Sequence, residues 1–146
     1  MCNLIYFSTT CPDDLAGDFG TYRLQSPEEH ERTLVARVLQ HPHVWYLESG
    51  VGGCSCHFRC RIGIAGYDDS KFAPPEEWEE FDPVAEQGTK DFYARVSQLI
   101  DRGYELDLVT TWSEDFDDEL IYDVHISQVR PDEFWFFDYA IFRFSA

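Results

Sequence analysis

Residues 134–142 read Phe-Trp-Phe-Phe-Asp-Tyr-Ala-Ile-Phe, and no other stretch constrains the fold as much. At the two-residue period of a strand, Phe134, Phe136, Ala140 and Phe142 face one side. Trp135, Phe137, Tyr139 and Ile141 face the other. A strand apolar on both faces needs cover on both, as in the centre of a sheet. The alternative is a face left open to a second copy of the chain, because large apolar patches mark interaction sites. A homodimer through this run is therefore one expectation.

The rest of the chain can supply that cover. Its 146 residues suit a single globular domain spanning 1–146, and 16% aromatics offer large areas to bury. Two helices are expected. In the first, over residues 26–40, Ser26 is a candidate N-cap, Pro27 suits the first position and Glu29 completes a capping box. Leu34, Val35, Val38 and Leu39 then share a face, and Pro42 stops the helix near Gln40. In the second, over residues 83–102, Asp82 caps, Pro83 opens and Gly103 ends a run with Phe92, Val96, Leu99 and Ile100 at helical spacing.

Strands are expected over residues 3–9, 44–47, 59–64, 104–108, 120–126 and 134–144, with residues 12–22 as loop. Short turns between the last three favour an antiparallel meander. The expected fold is α+β, a mostly antiparallel sheet of about six strands with two helices packed on one face.

Charge narrows the partners. Twenty-eight acids against 11 bases give −17, which repels phosphate backbones and anionic membrane surfaces. No nucleic acid and no membrane are expected as partners. The same field favours a basic protein partner. No basic, apolar leader opens the chain, so the expected location is cytoplasmic and the cysteines are expected as thiols or metal ligands.

Reactive residues crowd at one place, Gly52-Gly53-Cys54-Ser55-Cys56-His57-Phe58-Arg59-Cys60-Arg61. Three of the five cysteines fall within it, and residues 50–66 hold Arg59 and Arg61 but no acid. Cys54, Cys56, His57 and Cys60 have the chemistry of a zinc site, which takes four such ligands. One intervening residue between Cys54 and Cys56, rather than two, departs from the zinc-knuckle spacing. Thiol–disulfide redox chemistry is the second reading, because nearby arginines favour thiolate. The third is simple packing of small apolar thiols in a tight turn. Covalent haem attachment is excluded, since Cys54-Ser55-Cys56-His57 is one residue short of that motif.

Elsewhere the chemistry is thin. Asp115, Asp117 and Glu119 resemble the start of a calcium loop, but Leu120 and Ile126 stand where Gly and Glu are required. No phosphate loop, dinucleotide fingerprint or nucleophile elbow occurs. No cofactor is expected apart from zinc at the cysteine loop, and the reading leans away from an enzyme. The expected function is a non-catalytic protein-interaction module docking a basic partner, with a small zinc-binding or thiol-redox protein as the alternative.

Overall fold

In a computed structural model, which describes residues 3–50, 54–61, 82–112, 120–137 and 139–146, the aromatic run forms two pieces. Phe136–Phe137 is one short strand and Ala140–Ser145 another. Tyr139 breaks them apart at φ 49°, a left-handed turn that no continuous strand accommodates.

Among the described residues the strands are β1 (Leu4–Thr9), β2 (Gly17–Asp18), β3 (Tyr22–Gln25), β4 (His43–Ser49), β5 (Cys60–Arg61), β6 (Leu106–Thr111), β7 (Leu120–His125), β8 (Phe136–Phe137) and β9 (Ala140–Ser145). The helices are α1 (Glu29–Val35) and α2 (Pro83–Asp101). Seven strands form one sheet in the order β2-β3-β4-β1-β6-β9-β7, and β5 pairs with β8 in a separate parallel ladder. The fold class is α+β, with one strand more in the main sheet than the six expected.

The meander is not formed. Strand β9 inserts between β6 and β7, antiparallel to β6 and parallel to β7. A parallel neighbour needs a crossover of roughly a dozen residues or more. Residues 126–139 supply it, with 3-10 turns at Ile126–Gln128 and Pro131–Glu133. The length is right for a crossover and too long for a hairpin.

Helix α2 and helix α1 pack against opposite faces of the sheet, not one. Phe92, Tyr93, Val96 and Leu99 of α2 cluster with Ile5, Phe7, Leu108, Phe142 and Phe144. Val35 of α1, with Leu39 after it, clusters with Tyr6, Val109 and Ile141. The two sets alternate along β1 and β9, as the strand period requires. Strand β9 is thus the doubly covered strand that its sequence calls for.

Helix α2 follows its expected signals. The Asp82 carboxylate accepts from the N–H groups of Val84 (3.0 Å) and Ala85 (3.3 Å), and Gly103 adopts φ 90° past the helix end. Helix α1 is shorter than expected. Ser26 accepts a hydrogen bond from Arg32 instead of capping, and Glu31 takes the N–H of Glu28 at 3.2 Å. Past Val35 the chain tightens, with Val38 N–H donating to Val35 C=O at 3.0 Å.

The segment expected as loop contains β2 and the turn that leads into β3. Gly20 makes that turn at φ 85°, and Phe19 N–H donates to Tyr22 C=O at 2.9 Å. The acidic stretch with Asp115, Asp117 and Glu119 lies outside the described residues.

Candidate functional site

The cysteine loop closes the end of the β1–β4 ladder. That ladder stops at the Ile5–Leu47 pair, where the loop takes over the hydrogen bonding. Ser55 is fully buried; its hydroxyl donates to Leu47 C=O and accepts from Ile5 N–H at 3.1 Å. Ser55 N–H donates to Asn3 C=O at 3.2 Å, and Ser49 N–H to Cys54 C=O at 2.9 Å. Backbone groups that would be orphaned at a strand end are thereby paired.

The expected ligands are distributed unevenly. Asn3 N–H donates to Cys56 Sγ at 3.2 Å, and Asn3 Nδ2 lies 3.7 Å from Cys60 Sγ. Two sulfurs thus meet one residue. His57 is exposed, and Cys54 neighbours Tyr46. Burial pushes Tyr46 up to about 12; a hydrogen bond with Ser55 pulls the other way, while nearby Cys54, Glu48 and Glu31 add to the rise. Cys11 is buried in the larger core, remote in sequence from the loop.

Arg59 of this loop is 4% exposed and its guanidinium lies over Trp135, the guanidinium carbon 3.9 Å from the ring centroid. It also donates to Asp132 C=O at 2.8 Å. Its backbone N–H donates to Thr89 of α2 at 2.9 Å, and its C=O accepts from Phe136 N–H at 2.9 Å. The loop is therefore tied to the sheet, to α2 and to the crossover.

Among the described residues, one trio of potential metal-ligand side chains converges, Glu28, His30 and Glu31. Glu31 is already engaged by the Tyr6 hydroxyl and by Glu28 N–H, so capping explains its position. Ser8, His41 and Asp107 also meet, a combination no linear spacing reveals. Ser8 Oγ donates to Asp107, and His41 donates to Ser8 Oγ through its backbone N–H at 3.1 Å. The His41 ring instead faces Glu105 at 3.9 Å. Gln40 N–H completes the arrangement by donating to Asp107 at 2.9 Å. This is an anchor for the chain leaving α1, not a proton relay, which needs the ring on the hydroxyl.

On the α2 side, an open groove of about 300 Å³ is lined by Phe19, Tyr22, Asp91, Ala94, Arg95 and Gln98. Phe19 is 39% exposed and stacks on Tyr22 at 5.0 Å. Arg95 caps Phe19 at 4.7 Å and donates to the Tyr22 hydroxyl at 3.3 Å. Asp91 accepts from Thr21 at 2.6 Å and from Gln87 at 2.9 Å. Asp13, Asp14 and Asp18, near Phe19 in the chain, are exposed. Residue spacing gives no sign of this groove, because one wall comes from a hairpin whose strands are too short to read.

The fold defines an α+β protein with a mixed seven-stranded sheet and helices on both faces. Compared with protein-family models, curated proteins and solved structures, the chain matches none. No described helix is long and apolar enough to cross a membrane.

Proposed function

We propose that this chain is a non-catalytic protein-interaction module that docks a basic partner. The net charge of −17 carries the reading, since such a field steers and holds cationic surfaces. The Phe19 groove is the favoured contact. Phe19 is partly exposed at the mouth of the groove, with Asp91 in its wall and Asp18 next to Phe19 in the chain, so a basic side chain would meet carboxylates beside apolar surface. Aromatic anchors with a charged rim are the usual makings of a binding hot spot.

The test is binding of fluorescent Arg- and Lys-rich peptides, with acidic and neutral peptides of equal length as controls. Replacement of Phe19 by Ala is expected to weaken the basic peptide by about tenfold, the loss of one anchor. The Val84→Ala variant, at another exposed apolar site, is expected to bind as the parent does. Equal binding by parent and Phe19→Ala would remove the groove from the reading. No selectivity for basic peptides would remove the reading itself.

A further inference from the structure

We propose that the groove beside α2, read above as the contact for a basic partner, receives the carboxy-terminal end of a polypeptide that finishes in Lys or Arg. The proposal rests on that docking reading and names the part of the partner that fits.

Two opposite charges in the groove wall stay apart. Asp91 and Arg95 stand on α2 at the i,i+4 spacing, where an acid and a base on a helix ordinarily meet. Earlier in the same helix, Glu86 and Lys90 do meet at that spacing, at 2.8 Å. Asp91 instead accepts from Thr21 at 2.6 Å and from Gln87 at 2.9 Å. Arg95 turns to the other wall. Its Nε donates to the Tyr22 hydroxyl at 3.3 Å, and its guanidinium carbon is 4.7 Å from the Phe19 ring centroid.

Both groups keep capacity for a ligand. Thr21 and Gln87 are neutral donors, so they leave the charge of Asp91 uncompensated, and each carboxylate oxygen has a second lone pair. Among the described residues, the terminal nitrogens of Arg95 have no hydrogen-bond or ion-pair partner. Tyr22 holds Nε, which leaves the forked end of the guanidinium for the two oxygens of a carboxylate.

A ligand with positive groups alone satisfies Asp91 but is repelled by Arg95. An anion alone meets the reverse problem, and a protein of net charge −17 repels it as a whole. A chain that ends in Lys or Arg carries both charges on one residue. Its carboxylate goes to Arg95, its side-chain cation to Asp91, and its methylene stem covers apolar surface at Phe19. The groove is open to solvent, so the rest of a long chain can lead away from it.

The test is fluorescence anisotropy of peptides labelled at the amino terminus and titrated with the full chain. On one Lys-rich body, they end in Lys as the free acid, in Lys as the carboxamide, or in Ala as the free acid. The Lys acid is expected to bind about tenfold more tightly than its carboxamide and about fivefold more tightly than the Ala acid. The overall field favours the carboxamide, which lacks a negative charge, so a preference for the acid is local in origin. This comparison needs no variant. In Arg95→Gln, acid and carboxamide are expected to bind alike. Arg102→Gln removes the same charge at an exposed pair with Asp13 and is expected to keep the preference. Equal binding of acid and carboxamide by the parent would overturn the proposal, as would equal binding of the Lys and Ala acids or a preference that survives Arg95→Gln. In each case the docking reading stands if the Lys-rich body still binds more tightly than a neutral one. Binding of no Lys-rich peptide would remove both.

Discussion

Arg59 and Trp135 form a buried stack, with the guanidinium carbon 3.9 Å from the ring centroid and both side chains almost sealed from water. The planar cation covers the indole while one nitrogen donates to Asp132 C=O at 2.8 Å. A lysine keeps the charge but loses both the plane and the fixed fork. Arg59→Lys is therefore expected to cost about 1–2 kcal/mol, and Arg59→Ala about 3 kcal/mol. Urea unfolding followed by circular dichroism measures both. Equal stability of Arg59→Lys and the parent would mean that charge alone matters there.

Ser55, not a thiol, bridges β1 and β4 at the end of their ladder. Its hydroxyl serves Leu47 C=O and Ile5 N–H at once. Ser55→Ala strands both groups at a fully buried position, and a loss of about 2 kcal/mol is expected. Amide hydrogen exchange provides a local check, since the Ile5 N–H should exchange faster relative to that of Phe7.

Gly88 lies inside helix α2, where alanine ordinarily adds about 1 kcal/mol of helix stability. Here a Cβ would stand 2.9 Å from the Thr21 carbonyl oxygen and 3.4 Å from the Phe58 ring. The carbonyl has little freedom to retreat, because Gly50 N–H donates to it at 3.2 Å. Gly88→Ala is expected to destabilise by a net ~1–2 kcal/mol, as overpacking exceeds the propensity gain. A rise in Tm would show that the hairpin gives way.

Alkaline pH should weaken the fold through two tyrosines. Burial raises Tyr93 above its ordinary value and takes Tyr46 to about 12. The unfolded chain loses these protons near pH ~10, before the folded chain does. Their contribution is thus complete below pH ~10 and is lost as pH rises through the folded values. Tyr93→Phe should flatten this decline between pH ~9 and ~12. It should also cost about 1 kcal/mol at neutral pH, because the Tyr93 hydroxyl donates to the buried Val129 C=O at 3.0 Å. Urea midpoints across that range measure both effects.

Local signals were legible where local physics decides. Asp82, Pro83 and Gly103 mark α2 because capping and a left-handed stop act within a few residues. Ser26 misleads because its hydroxyl can bond a side chain as readily as a helix N–H, and Arg32 takes it. The β2–β3 hairpin is invisible because strands of two and four residues show no period. Periodicity says that Val35 and Val96 belong to apolar faces, but not on which side of the sheet each docks. The doubly apolar Phe142 strand held that information, since one helix layer could not cover both faces. At the cysteine loop, crowding singled out a segment that the fold ties to β1, β4 and α2. Asn3 carries no signal in the chain, because its contacts come from a fold that returns residues 56 and 60 to it.

The insertion of β9 between β6 and β7 also imposes an order of assembly. Ribosomes deliver residues 106–111 and 120–125 first, yet those two strands are not neighbours in the sheet. In the main sheet, strand β7 has β9 as its partner, so its ladder waits for residues 140–145. Until then the half-made product exposes Tyr122 and Val124 along an unpaired edge, a template for mispairing with other nascent copies. An excess of negative charge on such copies makes them repel one another, which opposes that mispairing.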